Sequence, residues 1–270
     1  MKNLRGKVAA ITGAGSGIGR ATAIEMAKKG MHLALADVNE AGLAETAKIA
    51  SASGVNITRH IVDVAKKDLM AAFADEVVKS HGKVNVIVNN AGVSVTAPLE
   101  EHSLEDFEWI VGINFWGVVY GCKFFLPHIR KAGEGHIVNI SSVFGIIGLP
   151  TQSSYAATKF AVRGFSESIR AELVGTGIGV TSVHPGGINT NIVKSARFTG
   201  DTGVGKEKAV KFFETKTLPP KAVADGIIDG IEKNKARVLV ARETYLIDYM
   251  KRIFPAFTNE IAARGFKRFQ

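Results

Sequence analysis

The sequence predicts a doubly wound α/β domain, in which helices cover both faces of a parallel sheet of about seven strands. Short apolar runs alternate with segments of helical spacing six times along the chain. The apolar runs lack a polar face, as expected for strands that are covered on both sides. No Pro- or Ser-rich linker divides the 270 residues, so we expect a single domain over residues 1–270.

The predicted strands are short apolar runs that end at glycine, proline or polar residues. They cover residues 7–12, 32–38, 56–64, 84–90, 135–141, 179–185 and 236–241. Helical spacing between them predicts helices over residues 18–30, 40–51, 66–82, about 103–130 and about 153–173. Gly30 and Gly82 are suited to end their helices, and Ser103 can cap the fourth one.

Two segments depart from this alternation. Residues 194–217 form an insertion whose first half is rich in Gly, Thr and Ser, and whose second half resembles a short amphipathic helix. Such an insertion can be a lid over a binding site or a surface loop, and the sequence supports both. Residues 243–270 continue past the last strand as one or two amphipathic helices. We favour a role in covering the site or a neighbouring subunit, and the alternative is a peripheral contact with an anionic membrane.

The composition is that of a globular protein, with 46% hydrophobic and 22% charged residues. A single cysteine, Cys122, excludes an internal disulfide framework and stands in an apolar run typical of a buried thiol. The N-terminal apolar run is too short for a secretory signal, and no stretch reaches the roughly 18 apolar residues of a membrane span. We therefore expect a cytoplasmic protein.

The net charge is +9, and part of the excess lies near the C-terminus. The last twenty residues contain Lys251, Arg252, Arg264, Lys267 and Arg268 against Glu260. A positive surface can attract nucleotides, nucleic acid or anionic lipid. The sequence lacks a basic surface interleaved with aromatic residues, so we expect no nucleic-acid partner. The seven histidines are scattered, which predicts no metal site.

A glycine-rich turn, TGAGSGIG at residues 12–19, follows the first strand and opens the first helix. Gly13, Gly17 and Gly19 allow a tight turn and a close approach of the backbone to a pyrophosphate. The helix N-terminus supplies unpaired N–H groups for the same anion. The turn lacks the Gly-Lys-Ser/Thr of a Walker A loop, which argues against an ATPase. It therefore predicts a dinucleotide site.

Asp37 ends the second strand, 24 residues after Gly13. An acid at this position can accept hydrogen bonds from both ribose hydroxyls of the adenosine half and would repel a 2′-phosphate. Ser16, within the glycine turn, offers no compensating positive charge. NAD is therefore favoured, with NADP as the alternative.

The segment YAATK places Tyr155 and Lys159 four residues apart, so that a helix would present both on one face. A free tyrosine has a pKa of about 10, which is high for a base near neutral pH. An ammonium group about 4 Å away is worth about 4 kcal/mol at an effective dielectric of 20, so it can lower that pKa. The pair predicts an acid/base tyrosine. The alternative is an exposed pair on a helix surface.

These motifs make the sequence resemble the short-chain dehydrogenase/reductase family over residues 5 to about 192. The resemblance rests on TGAGSGIG, Asp63-Val64, NNAG at 89–92, Asn114, Ser142, YAATK and PGGINT at 185–190, which occur in the family's order. It implies a Rossmann-type domain that binds NAD or NADP. By analogy with the family, it also implies a homo-oligomer, either a dimer or a tetramer.

The resemblance implies four catalytic residues, which are Asn114, Ser142, Tyr155 and Lys159. Ser142 stands thirteen residues before Tyr155, as in the family, and its neighbour Ser141 would point to the opposite side of the strand end. Ser142 would hold the substrate oxygen, Asn114 would hold a water in a proton relay, and Lys159 would also bind the nicotinamide ribose. The cofactor-binding residues that we expect from the motifs are Gly13, Ser16, Gly17, Ile18, Gly19, Asp37, Asp63, Val64, Asn90, Ala91, Gly92, Tyr155, Lys159, Pro185, Gly186, Ile188 and Thr190.

The substrate wall is predicted to come from residues 93–99, residues 143–152 and the insertion. Its expected side chains are Val93, Val95, Val143, Phe144, Ile146, Ile147, Leu149, Phe198, Phe212 and Phe213. These predict hydride transfer to or from an apolar secondary alcohol, ketone or aldehyde. The alternative function is a nucleotide-binding regulatory protein on the same fold.

Overall fold

The structure is a computed structural model that describes residues 1–200, 202 and 205–269, with only the backbone of residues 216 and 266–269. The strands are β1 (Val8–Thr12), β2 (His32–Asp37), β3 (Ile57–Ile61), β4 (Val86–Asn89), β5 (Val95–Thr96), β6 (Gly135–Ile140), β7 (Ile178–Pro185), β8 (Arg197–Phe198) and β9 (Arg237–Val240). Seven of these strands form a parallel sheet in the order β3-β2-β1-β4-β6-β7-β9. This sheet confirms the predicted doubly wound α/β fold.

The helices cover both faces of the sheet. They are α1 (Gly17–Lys28), α2 (Glu40–Ala50), α3 (Lys67–His81), α4 (Leu104–Val111), α5 (Gly117–Lys131), α6 (Ser153–Glu172), α7 (Lys206–Lys216), α8 (Pro220–Glu232), α9 (Arg242–Ile253) and α10 (Pro255–Phe269). Side chains of α1, α2 and α8 form one core with Ile11 of β1, and those of α3, α5 and α6 form a second core with Ala10 of the same strand. The strands therefore read as continuous apolar runs because both of their faces are buried.

A crevice opens where the connections leave the sheet in opposite directions. From β1 the chain proceeds outward to β2 and β3, whereas β4 leads to β6 on the other side. In doubly wound sheets, ligands bind beyond the carboxyl ends of the strands at this switch point. The glycine turn follows β1 and the NNAG segment follows β4, so the fold brings both motifs to the crevice.

The fourth predicted helix is interrupted. A π-helical stretch, Gly112–Trp116, joins α4 to α5. Among the described residues, the combined segment Leu104–Lys131 is long and apolar enough to cross a membrane, which corrects the expectation that no stretch is. Phe125 and Ile129 within it are fully buried against the sheet, so a core helix accounts for this composition.

The expected lid over residues 194–217 is tied to the rest of the fold at both ends. Strand β8 pairs with β5, so the start of the insertion is bonded to the loop after β4. At the other end, Leu218 forms a bridge with Ile188 in the loop after β7. Helix α7 lies between these ties, and residues 201, 203 and 204 of the expected lid lie outside the described residues. The expected C-terminal extension, residues 243–270, consists of α9 and α10, and its residue 270 also lies outside them.

Candidate active site

A cavity of about 860 Å³ occupies the crevice at the carboxyl ends of the strands. Its wall includes the predicted site residues Gly13, Ser16, Gly17, Ile18, Asp37, Asp63, Val64, Asn90, Ala91, Gly92, Ser142, Tyr155, Lys159, Pro185, Gly186, Ile188 and Thr190. Two predicted residues, Gly19 and Asn114, lie behind this wall rather than in it. The structure thus brings the predicted cofactor motifs and three of the four predicted catalytic side chains to one cavity.

The glycine turn is packed too tightly for a side chain at Gly19. A Cβ atom added there would lie 2.1 Å from the carbonyl oxygen of Gly13. The amide of Asn90 donates to the carbonyl oxygens of Thr12 and Gly13, at 2.9 Å and 3.1 Å, and fixes the turn against the loop after β4. Gly19 therefore acts through packing: it lets the N-terminus of α1 approach the turn and face the cavity.

Asp37 is bonded to the glycine turn that it faces. Its Oδ2 accepts a hydrogen bond from the N–H of Gly15 at 2.8 Å, and its Oδ1 accepts one from Asn39 at 3.0 Å. A Cβ atom at Gly15 would lie 2.9 Å from Oδ2. Gly15 belongs to the same turn but was not among the predicted site residues, because its contact with Asp37 spans 22 residues and leaves no local signal.

The basic residue nearest to this turn in sequence, Arg20, is engaged elsewhere. Its Nη2 donates to the carbonyl of Gly15 at 2.6 Å and lies 2.7 Å from the carboxylate of Glu45. Its Nε donates to the hydroxyl of Thr46 at 3.0 Å. Asp37 lines the cavity whereas Arg20 is outside its wall, so the carboxylate faces the cavity and the guanidinium does not.

The two adjacent serines at the end of β6 point in different directions, as expected at a strand end. The hydroxyl of Ser141 donates to the carbonyl of Lys159 at 2.8 Å, inside the packing between β6 and α6. Ser142 lines the cavity and hydrogen bonds with Tyr155. Ser142 is therefore the serine that meets the tyrosine.

His184 supports Ser142 from behind. The His184 Nδ1 lies 3.0 Å from the carbonyl oxygen of Ser142, and its Nε2 lies 3.1 Å from the hydroxyl of Ser182. Burial lowers the pKa of His184 to about 4, and the bond to Ser142 opposes this shift only in part. At neutral pH the neutral imidazole can donate from Nδ1 to Ser142. The contact could not be predicted from the sequence, because nothing in the sequence neighbourhood of His184 points to Ser142.

Tyr155 and Lys159 share a cavity-facing side of α6. The Nζ of Lys159 lies 5.5 Å from the centre of the Tyr155 ring and donates to the carbonyl of Ile140 at 3.0 Å. Burial raises the pKa of Tyr155 to about 12, and the hydrogen bond with Ser142 offsets this only in part. Burial also lowers the pKa of Lys159 to about 8. The expectation that Lys159 brings the pKa of Tyr155 below its usual value is therefore corrected, because desolvation of the phenol outweighs the stabilisation of the phenolate by the ammonium group.

Asn114 is fully buried within the π-helical stretch. Its Oδ1 accepts from the N–H of Val93 at 2.8 Å, and its Nδ2 donates to the carbonyl of Val93 at 2.9 Å. A Cβ atom on Gly92 would lie 3.3 Å from this Oδ1 and 3.6 Å from the Nζ of Lys159. The amide thus fixes the loop after β4 beside Lys159, and its water-holding role stays a prediction. π-helical interruptions of an α-helix, such as the stretch that contains Asn114, are frequent at functional sites.

The substrate side of the cavity is mainly apolar. The expected side chains that line it are Val93, Val143, Phe144, Leu149, Phe198, Phe212 and Phe213. Three others, Val95, Ile146 and Ile147, are buried in the protein and lie outside the wall. The ring of Phe144 meets the ring of Tyr155 edge-on, with 5.7 Å between their centres. The apolar surface therefore reaches the tyrosine itself.

Two charged residues of the wall were missed by our sequence analysis. Lys208 comes from α7, and Glu243 comes from the first turn of α9. The Glu243 Oε1 accepts from the N–H of Gly187 at 3.2 Å, which ties α9 to the loop after β7. Both residues are distant in sequence from every motif, so only the fold reveals their position. Within the described part of the chain, no group of three or more His, Cys, Asp or Glu residues is arranged to hold a metal ion.

Comparison with known proteins gives consistent matches. Residues 7–200 match the family model of short chain dehydrogenases. The Mycobacterium tuberculosis protein named "Putative oxidoreductase SadH" is 42% identical over 273 residues, which cover 100% of this chain and 98% of that protein. Estradiol 17-beta-dehydrogenase 11 of Rattus norvegicus is 32% identical over 257 residues, which cover 94% and 82%. The crystal structure of a short chain dehydrogenase/reductase from Burkholderia phymatum in complex with NAD is 30% identical, with a TM-score of 0.89 and coverage of 96% and 97%.

Proposed function

The chain belongs to the short-chain dehydrogenase/reductase family of oxidoreductases, and on this premise we propose that it transfers a hydride between NAD and an apolar secondary alcohol or its ketone. An apolar aldehyde is a further substrate type that the same chemistry allows. The observation that carries the proposal is the single cavity whose wall holds Asp37 and the glycine turn on one side and Ser142, Tyr155 and Lys159 on the other.

The residues of the cavity fit a nicotinamide dinucleotide. The close-packed turn and the N-terminus of α1 would receive the pyrophosphate, and Asp37 would accept the ribose hydroxyls of the adenosine half. The loop after β7, with Pro185 and Thr190 in the wall, would hold the nicotinamide half. When bound, the nicotinamide accepts or gives the hydride. A carboxylate at position 37 disfavours a 2′-phosphate, which supports NAD over NADP.

Two side chains of this protein would act on the substrate oxygen. The Ser142 hydroxyl would hydrogen bond to it and fix its position. Tyr155 would donate its phenolic proton to the oxygen during reduction and take the proton back during oxidation. With a pKa raised to about 12, Tyr155 is protonated at neutral pH and ready to donate.

Lys159 would support the charged form of the tyrosine. A lysine with a pKa of about 8 is still mainly protonated at pH 7, so it keeps a positive charge next to the phenol. This charge stabilises the phenolate that forms when the proton leaves, because the site is desolvated and Coulomb interactions there are strong. The pair therefore favours proton transfer in the active site even though the resting tyrosine is a weak acid.

The apolar wall supports an apolar substrate. Phe144 next to Tyr155 and Phe213 on α7 would cover a hydrocarbon portion attached to the reacting carbon. The name of the rat relative, an estradiol dehydrogenase, refers to an apolar secondary alcohol of this kind.

A substrate panel tests the proposal. Apolar secondary alcohols, their ketones and aldehydes, together with small polyols and carboxylated sugars, would be incubated with NAD or NADP while the absorbance of the reduced nicotinamide is recorded. We expect turnover of apolar alcohols with NAD. Turnover of polyols or sugars alone would contradict the substrate class. NAD binding without turnover of any compound would favour the nucleotide-binding regulatory protein.

We also propose that the protein forms a homo-oligomer. Trp116 and Phe160, on the segments that hold Asn114 and the YAATK motif, are 47% and 41% exposed. Trp116 stacks on Tyr120, and Tyr120 stacks on Phe124, so α5 carries an aromatic row along its surface. Aromatic surfaces of this type are enriched at protein interfaces. They support a dimer or tetramer formed through these helices.

A further inference from the structure

The two C-terminal helices present a large apolar surface to solvent. We call it the C-terminal apolar face, and it consists of Tyr245, Leu246, Tyr249, Ile253, Phe254, Phe257 and Ile261. Each of the seven side chains is between 47% and 64% exposed. Soluble monomers rarely expose a contiguous apolar patch of this kind without a binding role. A surface built from seven large exposed side chains therefore indicates a binding site.

The seven side chains belong to one continuous face. On α9, Tyr245, Tyr249 and Ile253 recur every four residues, which places them on one side of the helix. At the junction with α10, the rings of Phe254 and Phe257 meet edge-on with 6.4 Å between their centres. Ile261 follows Phe257 by four residues and extends the same side of α10.

Hydrogen bonds hold the two helices in this arrangement. The Nζ of Lys251 donates to the side chain of Asn259 at 2.7 Å and to the carbonyl of Pro255 at 3.1 Å. The buried hydroxyl of Thr258 donates to the carbonyl of Phe254 at 2.7 Å. The face is therefore preorganised, and a partner would not have to pay for its ordering.

Basic residues border the face, and the acidic residues near it are neutralised. Arg252 and Arg264 lie three residues beyond Tyr249 and Ile261, at the edge of the apolar stripe, and both are exposed. Asp248 is paired with Arg237 at 2.6 Å and with Arg252 at 3.1 Å, and Glu260 is paired with Arg264 at 3.6 Å. Residues 242–270 contain six basic and three acidic residues, so this segment of the chain carries a net positive charge.

We propose that the C-terminal apolar face docks onto an anionic membrane surface. An amphipathic helix with aromatic and aliphatic side chains on one side and basic residues at its edge binds the interface of such a membrane. Negatively charged lipid complements the arginines, whereas a second copy of this chain docked through the same face would set its own arginines against them. Charge complementarity therefore favours docking onto an anionic membrane over self-association through this face.

The C-terminal apolar face begins next to the cavity of the candidate active site. Glu243 lines the cavity wall and is bonded to Gly187, and Tyr245 follows it by two residues on the same helix. Leu218, which pairs with the loop after β7, is 39% exposed beside this junction. A protein docked through α9 and α10 would therefore hold this end of the cavity near the lipid surface.

Co-sedimentation of the full chain with vesicles tests the docking. Phosphatidylcholine vesicles with and without phosphatidylglycerol would be compared at low and high salt. We expect binding to the anionic vesicles that weakens at high salt, because basic residues near the surface contribute to it. Arg252→Glu and Arg264→Glu should each weaken the binding about fivefold or more. Failure of the wild-type protein to pellet with anionic vesicles would overturn the proposal.

A matched pair of double variants tests the face itself. Ile253→Asp with Phe257→Asp should reduce vesicle binding at least about tenfold, because two large apolar side chains leave the contact. Leu104→Asp with Val174→Asp is the control, since both residues are 80% exposed on other surfaces. Equal pelleting of the two variants would contradict docking through this face. Unchanged thermal unfolding midpoints would show that both variants are folded.

Light scattering measures the mass of the protein in solution. It distinguishes docking onto a membrane from association with a second copy of the chain. If wild-type protein does not bind vesicles and the Ile253→Asp, Phe257→Asp variant alone loses oligomeric mass, the face is an interface between copies and the proposal is wrong. Vesicle binding and solution mass do not depend on turnover. A failure of the docking proposal can therefore be distinguished from a failure of the proposed function.

Discussion

The carboxylate of Asp37 is hydrogen bonded to the backbone N–H of Gly15, with 2.8 Å between Oδ2 and the nitrogen. This bond joins the end of β2 to the glycine turn after β1 and orients the acid toward the cavity. Asp37 therefore shapes the site that would receive the adenosine ribose and also supplies the charge that would discriminate against a 2′-phosphate.

Replacement of Asp37 by Asn should change the cofactor preference. An asparagine oxygen can keep the bond to Gly15, while the negative charge is lost. We expect kcat/KM with NAD to fall at least about tenfold and the NAD-to-NADP ratio to fall by about ten- to a hundredfold, as for the loss of one or two charge-assisted hydrogen bonds. Steady-state kinetics with both cofactors measure this ratio. Asp68→Asn, at an exposed position of α3, is the control, and an unchanged ratio in Asp37→Asn would contradict the role of the acid.

Gly15→Ala should weaken cofactor binding through the same contact. The added Cβ would lie 2.9 Å from the Asp37 Oδ2, so the carboxylate or the turn must shift. We expect the Kd for NAD to rise at least about tenfold, measured by calorimetry. Gly164→Ala is the control, because nothing lies within 4 Å of its added Cβ on α6. That variant should bind NAD normally and gain about 0.5–1 kcal/mol in unfolding free energy.

His184 should make the protein sensitive to mild acid. Its pKa is lowered to about 4 in the folded state, compared with about 6.5 in the unfolded chain, so the unfolded chain binds the proton first as the pH falls. The associated stability is fully present above pH 6.5 and declines toward pH 4. At pH 5 the loss amounts to about 2 kcal/mol relative to pH 7.5.

Urea unfolding of the wild type and His184→Gln at pH 7.5 and pH 5 measures this effect. The variant should lose about 2 kcal/mol less than the wild type on acidification. His136, whose pKa burial lowers to about 3, contributes equally to both proteins and cancels in the comparison. Parallel pH dependences in the two proteins would show that His184 is not buried as a neutral imidazole.

Phe213 on α7 should contribute to binding of the apolar part of the substrate. Truncation to Ala removes aromatic surface from the cavity wall, which corresponds to about 1.5–3 kcal/mol if the ring is fully covered by substrate. We expect kcat/KM for long apolar alcohols to fall about tenfold or more, with a smaller effect for short ones. Val210→Ala, on the same helix but outside the cavity wall, is the control. An equal loss for short and long alcohols would contradict the role of α7 as part of the substrate wall.

Local patterns predicted most of the fold. The apolar runs at residues 7–12 and 135–141 each differ by only one residue from β1 and β6. The two-residue strands β5 and β8 could not be predicted, because a pair of residues has no periodicity and their pairing spans about a hundred positions. Motifs also led to the predicted site residues that line the cavity, since most motifs are short segments at the end of a strand and YAATK lies near the start of α6.

The electrostatics could not be read from the sequence. The spacing of Tyr155 and Lys159 shows that they share a helix face, but the pKa of Tyr155 depends on how many atoms of other segments cover the phenol. Likewise, Glu243 reaches the cavity only because α9 begins where β9 ends beside β7. Long-range burial and topology decide these features, and no local pattern encodes them.

Tyr155→Phe tests the acid/base role of the tyrosine most directly. The variant keeps the ring that packs against Phe144 and loses only the hydroxyl that would exchange the proton with the substrate. NAD binding and turnover of the best alcohol from the substrate panel would be measured for this variant, with Tyr249→Phe, on the exposed face of α9, as the control. We expect unchanged NAD affinity and a turnover that is at least about a hundredfold lower in Tyr155→Phe. Turnover close to that of the wild type would contradict the proton-transfer role of Tyr155.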